Sequence, residues 1–160
     1  MDQTHIHLLI THLPIFGSIL GALVLGYGLW TKSNHTKIAA YILFIISSIG
    51  AGIGYSTGEA AEETVENIAG VSKNLVEQHE DFAVIALISL IVLGVTSIVG
   101  LFLTSRKSKF TRPIAVVVLF VSLISFVLVT RTGYLGGQIR HTEVSSNPIS
   151  PNQGGETGEH

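Results

Sequence analysis

Histidines are the residues of this chain best equipped for chemistry, and their distribution is uneven. Of seven in 160 residues, His35 stands alone between two basic residues. His160 lies in a polar C-terminal segment. The other five are His5, His7, His12, His79 and His141. Imidazole ligates zinc, copper, iron and nickel, and carboxylates add hard oxygen ligands. Glutamates recur at Glu59, Glu62, Glu63 and Glu66, within reach of the same region. There is no cysteine, which excludes a disulfide framework, a thiolate-ligated cluster and covalent haem attachment. No nucleophile elbow, phosphate-binding loop or paired interruption of transporter type is present.

The elements that carry these histidines are apolar. Hydrophobic residues make up 47% of the chain and charged residues 12%, with mean hydropathy +0.54. A soluble domain carries about 25% charged residues. Crossing the hydrocarbon core takes about 20 apolar residues in a helix. Four stretches meet that length, at about 8–30, 38–57, 82–104 and 113–135. The expected fold is therefore all-α, an integral membrane four-helix bundle. Residues 1–143 form the bundle, and 144–160 (VSSNPISPNQGGETGEH from Val144) read as a disordered polar tail. No Lys or Arg precedes the first apolar run, so it is expected to stay in the mature chain rather than act as a cleaved signal.

Orientation follows from charge. Lys32 and Lys37 follow the first span; Arg106, Lys107, Lys109 and Arg112 follow the third. All eleven acidic residues lie toward the other side. The positive-inside rule puts the basic turns in the cytoplasm. Both termini are then outside, in the periplasm if the membrane is a bacterial inner membrane. Trp30 and Tyr41 read as inner aromatic belt, Tyr55 and Tyr134 as outer belt. The net charge of −2 and the lack of a basic stripe argue against a nucleic-acid partner. The span centres show no ring of polar residues, which argues against a channel.

Between spans 2 and 3, Ala61, Val65 and Ile68 recur at helical spacing opposite the glutamates. Gly70 reads as a helix stop and Ser72 as an N-cap. Helices 2 and 3 are thus expected to extend beyond the membrane on the outer side, each about 32 residues long, or roughly 48 Å at 1.5 Å per residue. Leu75, His79, Phe82 and Ala86 share one helix face. Gly133, Gly136 and Gly137 read as a possible break in helix 4. Gly17 with Gly21, and Gly50 with Gly54, have the spacing of close helix contacts. They also fit room for a flat cofactor or a dimer interface.

Counting outward from the span ends, His12 falls at the hydrocarbon boundary. His7, Glu62, Glu63 and His79 lie about one turn further out, and His5, Glu66 and His141 about one turn beyond that. All four helices thus bring a ligand type to one layer, as in bundles that hold cofactors between facing helices. Arg131, near the end of an apolar span, fits either snorkelling to the interface or pairing with an anion such as Glu59 or a haem propionate.

The segment HLLITHLPI, His7 to Ile15, resembles the opening of the DUF2231-type family of small bacterial membrane proteins. Gly58 with Glu59, then His79, then GYLGGQIRHTE from Gly133 to Glu143 match that family's later motifs. The resemblance implies a four-span topology and interest in His7, His12 and His79. It implies no activity, and His5, the added glutamates and His141 depart from the pattern.

Three readings follow. The first is a b-type cytochrome, with haem b ligated by His7 or His12 and His79. Arg131 and Arg140 would meet the propionates, and electrons would pass between quinol and a periplasmic carrier. The second is a non-haem iron, copper or zinc site drawn from His7, His12, His79, His141, Glu62 and Glu63. The third is a non-catalytic subunit of a larger membrane complex or a homo-oligomer, with structural or pH-sensitive histidines.

Overall fold

A computed structural model describes the backbone of residues 10–65 and 73–140, and the side chains of residues 10–58 and 74–138. Four helices carry the fold: α1 (His12–Trp30), α2 (Asn34–Val65), α3 (Lys73–Ser105) and α4 (Thr111–Arg140). Each holds a stretch long and apolar enough to cross a membrane. In hydrocarbon a backbone must satisfy its own hydrogen bonds, which a helix does within one segment. α2 has 32 residues and α3 has 33, as the sequence reading expects. The hairpin at Gly70 and the cap at Ser72 lie outside the described residues, as does the tail.

The helices pack in chain order around a ring. α1 touches α2 and α4, and α3 touches α2 and α4. This is the up-down-up-down arrangement that short connections favour. The ends of α2 and α4 and the starts of α1 and α3 therefore share one end of the bundle, here called the acidic end. The two short turns share the other, the basic end.

Large apolar side chains face outward as well as into a core that includes Leu25, Phe44, Leu90 and Leu93. Phe16, Leu23, Trp30, Ile88, Phe120 and Val127 face outward, with Trp30 78% exposed. Small and hydroxylic residues face in. Gly17 lies on Ser47 and Gly21 on the Phe44 ring, where an added Cβ would come within 2.4 Å of Phe44 Cε1. Gly50 receives Leu13. Lipid offers no hydrophobic drive for helices to associate, so close packing of this kind supplies the contact.

Two sequence readings change. Tyr41 is no belt residue; it is fully buried, with its ring against Gly100 of α3. α4 is continuous through Gly133, Gly136 and Gly137 to Arg140, because neighbouring turns keep the backbone bonded despite a helix penalty of roughly 1 kcal/mol per glycine. The bundle interior holds single hydroxyls rather than only apolar groups: Ser18, Ser47, Ser97, Ser122 and Ser125 are all fully buried. Most donate to their own helix. Ser18 Oγ bonds the Ile15 carbonyl at 2.9 Å, Ser47 Oγ the Leu43 carbonyl at 2.8 Å and Ser122 Oγ the Leu119 carbonyl at 2.7 Å. Ser125 Oγ instead donates across to the Ser89 carbonyl of α3 at 3.2 Å.

The short turns are capped locally. Ser33 Oγ accepts the Thr36 amide at 3.3 Å, the bond an N-cap makes to the third helical residue. After α3, the Ser108 amide reaches the Leu103 carbonyl and the Lys107 amide the Thr104 carbonyl. That is a Schellman closure, and Lys107 takes the left-handed conformation it requires, at φ 52°. Lys32 does the same after α1, at φ 55°.

Candidate functional site

His79 is the candidate ligand that the structure describes most fully. It sits two turns into α3, half-buried, facing α4. Its Nδ1 lies 3.0 Å from the Thr132 carbonyl oxygen. A carbonyl only accepts, so Nδ1 carries the proton in this contact. In the neutral ring Nε2 then holds the lone pair, the arrangement usual for a metal-ligating imidazole with its other nitrogen on a backbone carbonyl.

The local sequence of α4 makes this contact possible. Thr132 and Gly136 are one turn apart, on the face that α3 meets. The imidazole lies over Gly136, where a Cβ would stand 3.1 Å from His79 Cε1 and 3.4 Å from Nδ1. The Gly-Gly motif was visible in the sequence, but its role as a seat for His79 was not. The pairing of His79 with a residue 53 positions away has no sequence signal of its own.

Arg131, next to Thr132, is exposed. Its guanidinium lies 5.6 Å from the Phe82 ring centroid and 5.7 Å from that of Tyr134. It therefore ties α4 to α3 through cation–π contact, beside the His79–Thr132 bond. Tyr134 in turn accepts a hydrogen bond from Gln138 Nε2 at 3.1 Å.

His12 begins α1 with its side chain exposed, and its ring stacks with Phe16 at a centroid distance of 6.4 Å. His5, His7 and His141 lie outside the described residues. Glu62 and Glu63 are on the backbone of α2 and Arg140 ends α4, but the side chains of these residues and of Glu59 lie outside the described set. Antiparallel packing brings the backbone of Glu62, Glu63, His12, His79 and Arg140 to the acidic end. Among the described residues, no three His, Asp or Glu side chains converge as a metal-binding group.

The glycines of α1 bear on a flat cofactor. Gly17 and Gly21 face inward, but Ser47 and Phe44 fill the space beside them. At the end of α4, a Cβ on Gly137 would meet nothing within 4 Å. Comparison with protein-family models, with curated proteins and with solved structures returned no match.

Proposed function

We propose that this chain is a membrane electron-transfer protein of b-type cytochrome character, with its cofactor held at the acidic end of the bundle. The observation that carries the reading is the tie of His79 to α4: Nδ1 donates to the Thr132 carbonyl, which fixes the ring and puts the lone pair of the neutral imidazole on Nε2. His79 would supply one axial imidazole, and His12 or His7 the other. Haem, when bound, supplies one-electron redox chemistry. The residues of this chain orient the imidazole and place cationic Arg140 at the same end. The Arg131 guanidinium lies over Phe82 and Tyr134, so it supports the α3–α4 seam, and its N–H edge would remain for a propionate. By the positive-inside rule, this end faces the periplasm of a bacterial inner membrane, where quinol and a periplasmic carrier would be the redox partners.

One observation favours a second reading, a non-haem iron, copper or zinc ion bound by His79 with His7, His12, His141, Glu62 or Glu63. The interior glycines of α1, which suit a porphyrin edge by spacing, are occupied by Ser47 and Phe44. A small ion needs no such space.

Oxidised and dithionite-reduced visible spectra of the gently purified protein, with metal analysis on the same sample, separate the two. A Soret band with sharp reduced α and β bands supports the cytochrome. A featureless spectrum with stoichiometric metal supports the second reading. Colourless, metal-free protein from the native membrane overturns both.

A further inference from the structure

The end of the bundle opposite His79 is a concentration of positive charge, with no acidic side chain beside it among the described residues. Lys32, Lys37, Arg106, Lys107, Lys109 and Arg112 lie in or beside its two turns, and the described acidic residues, Glu59, Glu62, Glu63, Glu77, Glu80 and Asp81, lie toward the other end. Most of these cations are exposed, as is usual where a membrane helix meets water. Lys37 is not: it is 5% exposed, and its stem packs on Gly28 of α1, where a Cβ would stand 3.2 Å from Lys37 Cγ. Its Nζ bonds a neutral group, Asn34 Oδ1, at 3.2 Å. The charge that acts on it is a second cation, Arg112 of α4. A buried cation held by one amide, in the field of another cation, is costly unless an anion joins them.

One turn further in, the hydroxyls of Tyr41 and Thr104 approach across the α2–α3 seam. Both atoms are buried and neither is in hydrogen-bond geometry with any partner. Buried polar atoms are rarely left so. Lys37 and Tyr41, four residues apart, lie on the same face of α2.

A cleft of about 440 Å³ runs along the outer α1–α4 seam toward this end, lined by Ile19, Leu23, Gly26, Trp30, Leu119 and Leu123. Arg112, Leu119 and Leu123 are seven and four residues apart, so they share one face of α4. The exposed Arg112 is therefore on that face about two turns beyond Leu119, past the cleft's basic mouth. Trp30 and Tyr27 flank that mouth edge-to-face at 6.1 Å, as aromatics do at headgroup depth. A Cβ on Gly26 would meet nothing within 4 Å, so the cleft is open there.

We propose that this end binds an anionic phospholipid, with one acyl chain in the α1–α4 cleft and the phosphate between Arg112 and Lys37. Guanidinium and ammonium groups together suit a phosphate, and basic pockets between membrane helices are where such headgroups bind. The site is independent of any cofactor at the acidic end.

The test uses the full chain, delipidated in detergent and titrated with phosphatidylglycerol or phosphatidylcholine of identical acyl chains, read by native mass spectrometry. Phosphatidylglycerol is expected to bind about tenfold more tightly, or better. Arg112→Gln and Lys37→Met should each remove most of that preference. The surface pair Lys107→Gln with Lys109→Gln should leave it nearly intact. Gly26→Leu should weaken both lipids while keeping their ratio. If Lys37→Met does not fold, Arg112→Gln at its exposed position carries the test. Equal affinity for the two lipids overturns the proposal, as does a loss in the surface pair matching that of Arg112→Gln. Glycerol phosphate binding as tightly as the lipid would assign the site to a soluble phosphate and overturn the lipid.

Discussion

Gly136 offers a way to perturb the candidate site without removing a ligand. Gly136→Ala puts a methyl 3.1 Å from His79 Cε1, closer than side chains ordinarily stand, so the imidazole must shift off the Thr132 carbonyl. We expect a loss of about 1–3 kcal/mol in stability and lower cofactor occupancy, read as melting temperature and absorbance on the same sample. An unchanged spectrum would separate Gly136 from the site. His79→Ala should abolish cofactor retention and leave membrane insertion intact; full occupancy in that variant would remove His79 from the site. Arg131→Gln should cost about 0.5–1 kcal/mol, the value of an exposed cation–π contact, without emptying the site. A strong loss of haem there would instead reveal a propionate partner. Side-chain type and depth made His79 legible in the sequence. Tyr41 and Lys37 were not legible as buried. Both adjoin a nearly uniform apolar stretch, where the face of a helix that turns inward leaves little trace in its periodicity. What buries Tyr41 is Gly100, 59 positions away in the chain and silent by itself.

Among the helices, the α1–α2 contact is sensitive to single atoms. Gly21→Val would drive its side chain into the Phe44 ring. A cost of about 1–3 kcal/mol is expected, with partial recovery when Phe44→Leu is added; a thermal-melt double-mutant cycle measures the coupling. Additive losses would mean that the two do not meet. In the α3–α4 turn, Lys107→Gly should stabilise by roughly 1 kcal/mol, because a lysine at φ 52° carries a left-handed penalty that glycine lacks. A lower melting temperature would contradict that expectation. Element lengths were readable because apolar run length and membrane thickness are linked physically. The continuity of α4 was not readable. Glycine lowers local helix propensity, while the tertiary contact of Gly133 with Ile15 and of Gly136 with His79 holds the helix together.

For the molecule as a whole, orientation is an expectation of charge rather than of packing. The chain has no cysteine, so single introduced thiols report it cleanly. Lys109→Cys should be shielded from a membrane-impermeant maleimide in intact cells, and Glu77→Cys, exposed at the start of α3, should be labelled. The reverse pattern would invert the topology and put the histidines in the cytoplasm. Up-down-up-down order was legible from short connections, but the closing α1–α4 seam, with its cleft, was not, since nothing in the chain links those helices directly. The capped turns after α1 and α3 carry a further consequence for biogenesis. Each joins two antiparallel helices within a few residues and closes its own backbone bonds, so α1–α2 and α3–α4 are self-contained hairpins that can enter the bilayer as separate units. Two polypeptides divided between Gly70 and Val71, made together in one cell, should therefore find each other in the membrane and rebuild the four-helix body.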